Sequence, residues 1–335
     1  MKILHIANFS WFNNASVYYA IDRKISNGLI RNGHFVYDFS YRDISRYSSW
    51  FKRKKLGVKA MNDSLLKTVN QLKPDIILFG HSELITIETI QKIKIDYPQI
   101  KIGLWWVDWL QNVQTIIERL PYLDTVFTTT GIAESKAVLS TNNTILAYIP
   151  NMCDSSIDTY KAFETKSNYD IFYAGRYDNE RKEMADRLQL LSKKYKIGLF
   201  GLNKKSILLG SKFIETIGKS KMAINFSRNN KLSLYSSDRI IQLAANGTLV
   251  FTPKIPGFEK IFTAEEVVYF DSLDDLENKI DYYLSNDNAR IAITKSGYDR
   301  AHNSYDSKIV TKFMIETIVG LDYSQKYGWE DEVIK

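Results

Sequence analysis

The sequence predicts an α/β protein made of two successive halves, each a parallel sheet layered with helices. Three observations carry that prediction. Short β-branched apolar runs alternate with segments of helical apolar periodicity. The alternation starts at Lys2 and starts again at Asp170, with a polar, non-periodic stretch between. The chain's 335 residues also exceed what one compact core usually organises. The expected boundaries are an N-terminal domain over 1–150, a linker over 151–168, a C-terminal domain over 169–320 and a tail over 321–335.

Lys2 to Ala7 is apolar and β-branched enough for a first, central strand. The loop Asn8 to Asn14 (NFSWFNN) leads to a helix whose apolar stripe is Val17, Ile21, Ile25 and Leu29. Gly33 ends that helix, and His34 to Phe39 gives a second strand. The loop after the first strand lacks G-x-G-x-x-G, so a dinucleotide fingerprint is not supported. Residues 42–60 are basic and aromatic, and read either as a solvated loop or as a contact surface for something negative. A helix over Asn62 to Leu72 precedes strand Asp75 to Phe79, and a helix near Ile85 to Asp96 precedes strand Ile100 to Trp106. Strands Thr125 to Thr129 and Thr144 to Ile149 complete the half.

The second series opens with strand Asp170 to Ala174, then a helix over Asn179 to Ser192 and strand Ile197 to Phe200. Helix Ser211 to Ile217, strand Met222 to Asn225, strand Val267 to Phe270 and helix Leu273 to Leu284 follow, with further helices through about Gly320. The tail, with Tyr323, Tyr327 and Trp329, either packs back across the first domain or frays.

Composition narrows the class. Hydrophobic content of 44% and charged content of 25% describe a folded, water-compatible chain. A net charge of +7 favours an anionic partner: nucleotide, nucleic acid or anionic membrane surface. Cys153 is the only cysteine, which excludes an intrachain disulfide and a cysteine-rich metal site. No apolar run approaches a membrane span or a signal-peptide core, so a cytoplasmic location is expected.

In open α/β sheets ligands sit at the carboxyl ends of strands. His81, Glu83, Asp108 and Thr128 to Thr130 fall there in the first half. Asp108 stands in WWVDW among Trp105, Trp106 and Trp109, whose faces suit a sugar or base as well as a core. In the second half, SSDRIIQLAANGTLVF (Ser236 to Phe251) reads as a helix capped by Ser236, Ser237 and Asp238, closed by Gly247 and followed by a buried strand. Arg239 and Gln242 lie together off its apolar face, and a helix start carrying hydroxyls and an arginine suits an anion. Arg181 and Lys182 in the first turns of an earlier helix oppose the helix dipole unless an anion is bound.

The stretches YIPNMCD (Tyr148 to Asp154), YDIFYAGR (Tyr169 to Arg176), SSDRIIQLAANG, PGFEKIF and EEVVYFDSLDDLENKIDYYL together resemble GT-B glycosyltransferases, and the second half resembles the CgeB-like (spore-protein-type) family. The resemblance runs from Met1 to about Tyr305. It implies two Rossmann-like domains with parallel sheets facing an interdomain cleft; the polar, non-periodic run Asn151 to Asn168 between the two series is the expected hinge. The resemblance also implies a nucleotide-sugar co-substrate (UDP-, GDP- or dTDP-sugar) and transfer of a hexosyl or pentosyl group to an acceptor hydroxyl, with no metal and no further cofactor. Arg176, Arg181 and Arg239 would meet the diphosphate, with Ser236, Ser237 and Asp238 at the same helix start. Where the family pattern has a glutamate holding the ribose, this chain has Gln242, which keeps hydrogen bonding but loses the charge.

Asp108 is the expected base of an inverting transfer, with His81 and Glu83 as competitors. Asn8, Trp11, Trp106 and Trp109 are expected beside the acceptor. The preferred acceptor is a cell-surface glycan or its lipid-linked precursor, with peripheral contact to an anionic membrane as a further partner. A looser similarity, carried by WWVDW and GRYDNERK, is to phage β-glucosyltransferases that modify hydroxymethylated cytosine; it implies duplex DNA as the alternative acceptor, in a host cytoplasm. A non-catalytic nucleotide-sugar-binding module is the reading that Gln242 keeps open.

Overall fold

The computed structural model describes residues 1–335 apart from 111–112, 140–142, 204–205 and 335. The chain divides into two compact units, Met1–Ile149 with Ser307–Lys335, and Pro150–Asp306.

The first unit holds strands β1 (Lys2–Ala7), β2 (Phe35–Ser40), β3 (Ile76–Phe79), β4 (Lys101–Trp106), β5 (Thr125–Thr128) and β6 (Ile145–Tyr148), with the last strand, β12 (Val333–Ile334), at the edge. Their order is β12-β6-β5-β4-β3-β1-β2, parallel except for β12, which runs antiparallel to β6. The strands are nearly continuous apolar runs because helices cover both faces. Leu4 lies opposite Tyr37 on one side and Ile77 on the other. Helices α1 (Ile21–Arg31), α2 (Tyr41–Tyr47), α3 (Val58–Leu72), α4 (Ile87–Asp96), α5 (Gln114–Ile117) and α6 (Ile132–Leu139) connect them. Leu4, Ile6, Met61, Leu65, Ile77 and Ile102 are among the fully buried side chains of its core.

The second unit holds β7 (Tyr169–Ala174), β8 (Ile197–Phe200), β9 (Ser220–Ile224), β10 (Leu249–Pro253) and β11 (Val268–Phe270), all parallel, in the order β11-β10-β9-β7-β8. Helices α7 (Lys182–Leu191), α8 (Ser211–Gly218), α9 (Arg239–Ala245), α10 (Leu273–Ser285) and α11 (Asp287–Tyr305) cover it. Its core is built on Ile171, Met222, Ile224, Leu249, Phe251 and Leu276. No helix among the described residues is long and apolar enough to cross a membrane.

Two boundaries change, and two stretches left open by the sequence take a definite form. Residues 151–168 are no exposed linker: Met152, Cys153, Ile157 and Ala162 are buried in the second unit. Asn246, at the end of α9, holds them by accepting the Tyr160 N–H on its side chain (3.3 Å) and the Ala162 N–H on its carbonyl (3.0 Å). The C-terminal domain stops at Asp306, not 320. Helix α12 (Ser307–Val319) belongs to the first unit, where Val310, Phe313 and Met314 are buried and it packs on α1. Gly28 makes that approach possible, since a Cβ there would stand 2.3 Å from the Ser307 carbonyl oxygen. The tail packs rather than frays: Tyr327 and Trp329 are buried and Glu332 accepts the Ile132 N–H at 3.0 Å. The 42–60 stretch, finally, is partly helical, supplying α2, a 3-10 turn at Lys54–Gly57 and the start of α3.

Candidate functional site

Each sheet has one point where strand order reverses, and each such point is where α/β sheets open a crevice at their carboxyl ends. In the first unit it lies between β1 and β3, in the second between β7 and β9. The residues after those four strands build two candidate sites.

In the first unit a cavity of about 190 Å³ is lined by Asn8, Asp22, Tyr41, Arg42, His81 and Trp105, and a neighbouring hollow of about 290 Å³ shares Asn8 and Asp22 and adds Trp11. The strand ends are rigidly held. Gly80 leaves room for Trp105, whose ring atoms would stand 2.6 Å from a Cβ there. Buried Arg119 donates to the carbonyls of Ser82 (2.7 Å) and Ile85 (2.9 Å) and so pins the turn after β3. The Trp105 indole donates to His5 Nε2 at 3.1 Å, which leaves the proton of that ring on Nδ1. His5 Nδ1 then donates to Ser26 Oγ (2.8 Å), and Ser26 to Asp38 (2.6 Å). Burial, helped by Arg23, pushes the His5 pKa down to about 3, so the ring stays neutral.

The expected acceptor-side residues have different environments. His81 stacks on Trp106 with ring centres 4.0 Å apart, and burial lowers its pKa despite Asp108 and Glu83 nearby. Burial pulls the Glu83 carboxyl up, but the Tyr41 hydroxyl and Arg42 outweigh it and the net direction is down. Both Arg42 Nε (2.9 Å) and the Tyr41 hydroxyl donate to that carboxylate, so Glu83 is a poor proton acceptor. Asp108 stands exposed in the loop after β4 and accepts the Trp109 N–H at 2.9 Å. Trp11 and Trp106 keep partial exposure, and Trp109 packs with its carbonyl 3.4 Å from the Trp106 indole nitrogen.

Asp22, in the first turn of α1, was not anticipated. It accepts the Asn8 N–H at 3.0 Å, and burial pushes its pKa up to about 6 against the opposing effects of that bond and of Arg42 and Arg23. In sequence it reads as an ordinary acidic partner of the helix dipole. Only the adjacency of β1 and β3 shows that it faces His81.

In the second unit, Tyr173 is fully buried near the end of β7 and its hydroxyl has no hydrogen-bond partner among the described residues. The Arg239 guanidinium lies 5.9 Å from the Tyr173 ring and donates to the Phe226 carbonyl at 3.2 Å. Burial lowers the Arg239 pKa, and Arg181 adds to that effect. Arg239 forms no ion pair among the described residues. Arg181 is buried and forked onto Asp178, whose carboxylate is shared with Arg228 at 3.3 Å. Three guanidinium groups and one carboxylate therefore meet beside an unpaired hydroxyl, an arrangement suited to a phosphorylated ligand. Tyr173 and Arg228 were missed by sequence reading, although YAGR and NFSR sit at the two strand ends. Arg176 is exposed, and no hydrogen bond or ion pair among the described residues ties it to the cluster.

The start of α9 differs from the expected cap. Asp238 occupies the cap position without a side-chain cap bond and instead accepts from Gln242 Nε2 at 2.6 Å. The Ser236 and Ser237 hydroxyls are engaged by the buried Asn225 side chain at 3.0 and 3.1 Å. Beside this, a hollow of about 410 Å³ is walled by Phe226, Pro253 and Phe270 with Glu183, Asp271, Asp274 and Arg187, the last paired with Asp274 at 2.8 Å; its carboxylates suit hydroxyl groups. Among the described residues, metal-type ligands group only at Cys153, His302 and Asp306. These donors are already used: the thiol donates to the Ala301 carbonyl (3.2 Å), His302 Nε2 to Ala245 (2.9 Å), and Asp306 accepts the Ser155 N–H (3.0 Å).

Residues 177–316 match the family model described as glycosyl transferase-like. No curated protein matches the chain. Among solved structures it is similar to sucrose-phosphate synthase from Thermosynechococcus elongatus, at 12% identity over 96% of this chain and 98% of that one, with a TM-score of 0.66. Anabaena HepE in complex with UDP-glucose aligns at 11% identity over 96% and 100%, TM-score 0.62. The DNA-modifying enzyme β-glucosyltransferase aligns at 15% identity over 96% and 100%, TM-score 0.58. The family match supports a glycosyltransferase activity, and the solved structures show the fold of the GT-B glycosyltransferases.

Proposed function

We propose that the protein transfers a sugar from a nucleotide-sugar donor to an acceptor hydroxyl, inverting the anomeric centre and using guanidinium groups in place of a metal. The observation that carries this is the Arg239 guanidinium 5.9 Å from the ring of Tyr173, whose buried hydroxyl has no partner among the described residues, at the strand-order reversal of the second unit. In this reading Arg239, Arg181 and Arg228 neutralise the diphosphate and Tyr173 donates to one of its oxygens. Gln242 and the carboxylate-lined hollow take hydroxyls of ribose and sugar. The kinship with the CgeB-like family, and a hexosyl or pentosyl donor carried on UDP, GDP or dTDP, belong to the same proposal. HepE was solved with UDP-glucose, which makes UDP-sugars the first to test.

The first unit supplies the base. The acceptor hydroxyl gives its proton to a carboxylate as its oxygen attacks the anomeric carbon, and the nucleoside diphosphate leaves with the bonding electrons. Asp108 is the strand-end carboxylate proposed for this step. A second reading, Asp22, is favoured by its place in the cavity wall and by a pKa raised to about 6, which makes it a stronger base that is still ionised at neutral pH. The proposed acceptor is a cell-surface glycan or its lipid-linked precursor, with the reaction in the cytoplasm. DNA is the alternative, because the similar β-glucosyltransferase is a DNA-modifying enzyme.

Calorimetric titration with UDP-, GDP- and dTDP-sugars tests the donor site, followed by single-turnover transfer of radiolabelled sugar. Binding without transfer or hydrolysis supports the non-catalytic module, and no binding to any of the three overturns the donor reading.

A further inference from the structure

The segment between α2 and α3 holds side chains that a water-facing surface does not need. Trp50 is 95% exposed, Phe51 72% and Leu56 62%. Between them stand Lys52, Arg53, Lys54 and Lys55, all exposed, and from Ile44 to Asn62 the chain has six cations and no acid. The apolar surface continues onto the loop after β1, where the exposed ring of Phe12 packs on exposed Tyr47 with centres 3.9 Å apart.

The base of this segment is fixed. Ser45 Oγ donates to the Lys54 carbonyl at 2.5 Å, and the Arg53 N–H donates to Ser49 Oγ at 2.8 Å. Gly57 lets the returning chain touch Ser45, since a Cβ there would stand 1.8 Å from its carbonyl oxygen. The aromatic tip is thus presented by a tied loop rather than a trailing one, and less ordering entropy is lost when it docks.

We propose that this tip docks on an anionic lipid surface, with Trp50, Phe51 and Leu56 entering the interfacial layer and Lys52, Arg53 and Lys55 facing lipid phosphates, while Lys54 pairs with Glu83 at 3.9 Å. Tryptophan and phenylalanine flanked by lysine and arginine match the apolar and charged strata of that interface. Duplex DNA would engage the cations alone, leaving three large apolar side chains in water. The proposal stands apart from the transfer reaction, because docking is measured without donor or acceptor.

The test is co-sedimentation of the full chain with phosphatidylcholine vesicles and with vesicles holding about 30% phosphatidylglycerol, at about 0.1 M salt. The expected result is binding to the anionic vesicles only, weakened at high salt. Lys52→Gln with Lys55→Gln should lower the partition coefficient roughly 25-fold, about fivefold for each charge near the surface. Trp50→Ser with Phe51→Ser, at exposed positions that leave the fold intact by circular dichroism, should lower it about tenfold or more. Wild-type protein that stays in the supernatant overturns the proposal. So does vesicle binding indifferent to the Trp50 and Phe51 changes, or retention on DNA in place of vesicles.

Discussion

Asp22 carries opposing demands. Its carboxylate is buried yet stands near Arg42, Arg23 and the Asn8 N–H, and burial prevails, raising its pKa from 3.8 to about 6. A carboxyl with a raised folded-state pKa contributes stability that is complete below pH 3.8 and lost as the pH rises through 6. At pH 7 the ionised group is therefore a cost. Asp22→Asn is predicted to raise stability at pH 7 by about 3 kcal/mol, read from urea unfolding, and to remove that pH dependence. If Asp22 is the base, the same variant loses roughly 10²–10⁴ in kcat, whereas Asp108→Asn is the damaging change if Asp108 is. His5 acts in the opposite sense: its pKa falls from 6.5 to about 3, so its contribution is present above 6.5 and lost as the pH falls towards 3. In the second unit, Arg239→Ala should weaken nucleotide binding by about 1.5–3 kcal/mol in calorimetry. Unchanged affinity would remove Arg239 from the donor site.

Strand-end geometry in the second unit depends on one side chain. Asn225 follows β9 and joins three elements: its amide donates to Ser236 Oγ ahead of α9 and to Thr252 Oγ1 on β10, both at 3.0 Å, while its carbonyl oxygen accepts from Ser237. Asn225→Ala leaves these groups buried with lost partners and should cost about 2–3 kcal/mol. Because the same bonds position the chain leading into Arg239, donor affinity should fall with it. A variant that loses stability but keeps full affinity would separate the network from the site. Arg119 plays the matching part in the first unit, where its three bonds to the carbonyls of His81, Ser82 and Ile85 tie down the turn after β3, whose His81 ring stacks on Trp106.

At the scale of the molecule, the last 29 residues complete the first unit. Trp329 is 1% exposed and stands with Phe313 and Tyr327 in an aromatic cluster, ring centres 5.6 and 5.5 Å away. Trp329→Ala should cost about 3–5 kcal/mol. Because the two units have separate cores, calorimetry should show the transition of the first unit moving while that of the second stays in place. A shift of both together would mean that they unfold as one.

Nearly every strand was legible from local pattern, because a parallel strand buried on both faces must be a short apolar run whatever its neighbours are. Boundaries differ by a residue or two, as between Asp170 and the observed start at Tyr169. Gly247 was legible as a helix stop, and its φ of +73° is the reason. Destination was not legible. The apolar stripe of α12 states that one face is buried, but not that Gly28 on α1 leaves the space that receives it. Nor does a polar composition over 151–168 reveal that Asn246 holds it against the second unit. The sites divide the same way. Arginines at strand ends and helix starts mark a candidate anion site from sequence alone, because charge and position along the chain are enough to nominate it. Asp22, Tyr173 and Arg119 acquire their roles only when the sheet order brings distant strand ends together, since burial and the loss of partners are properties of the packed neighbourhood and not of the residue.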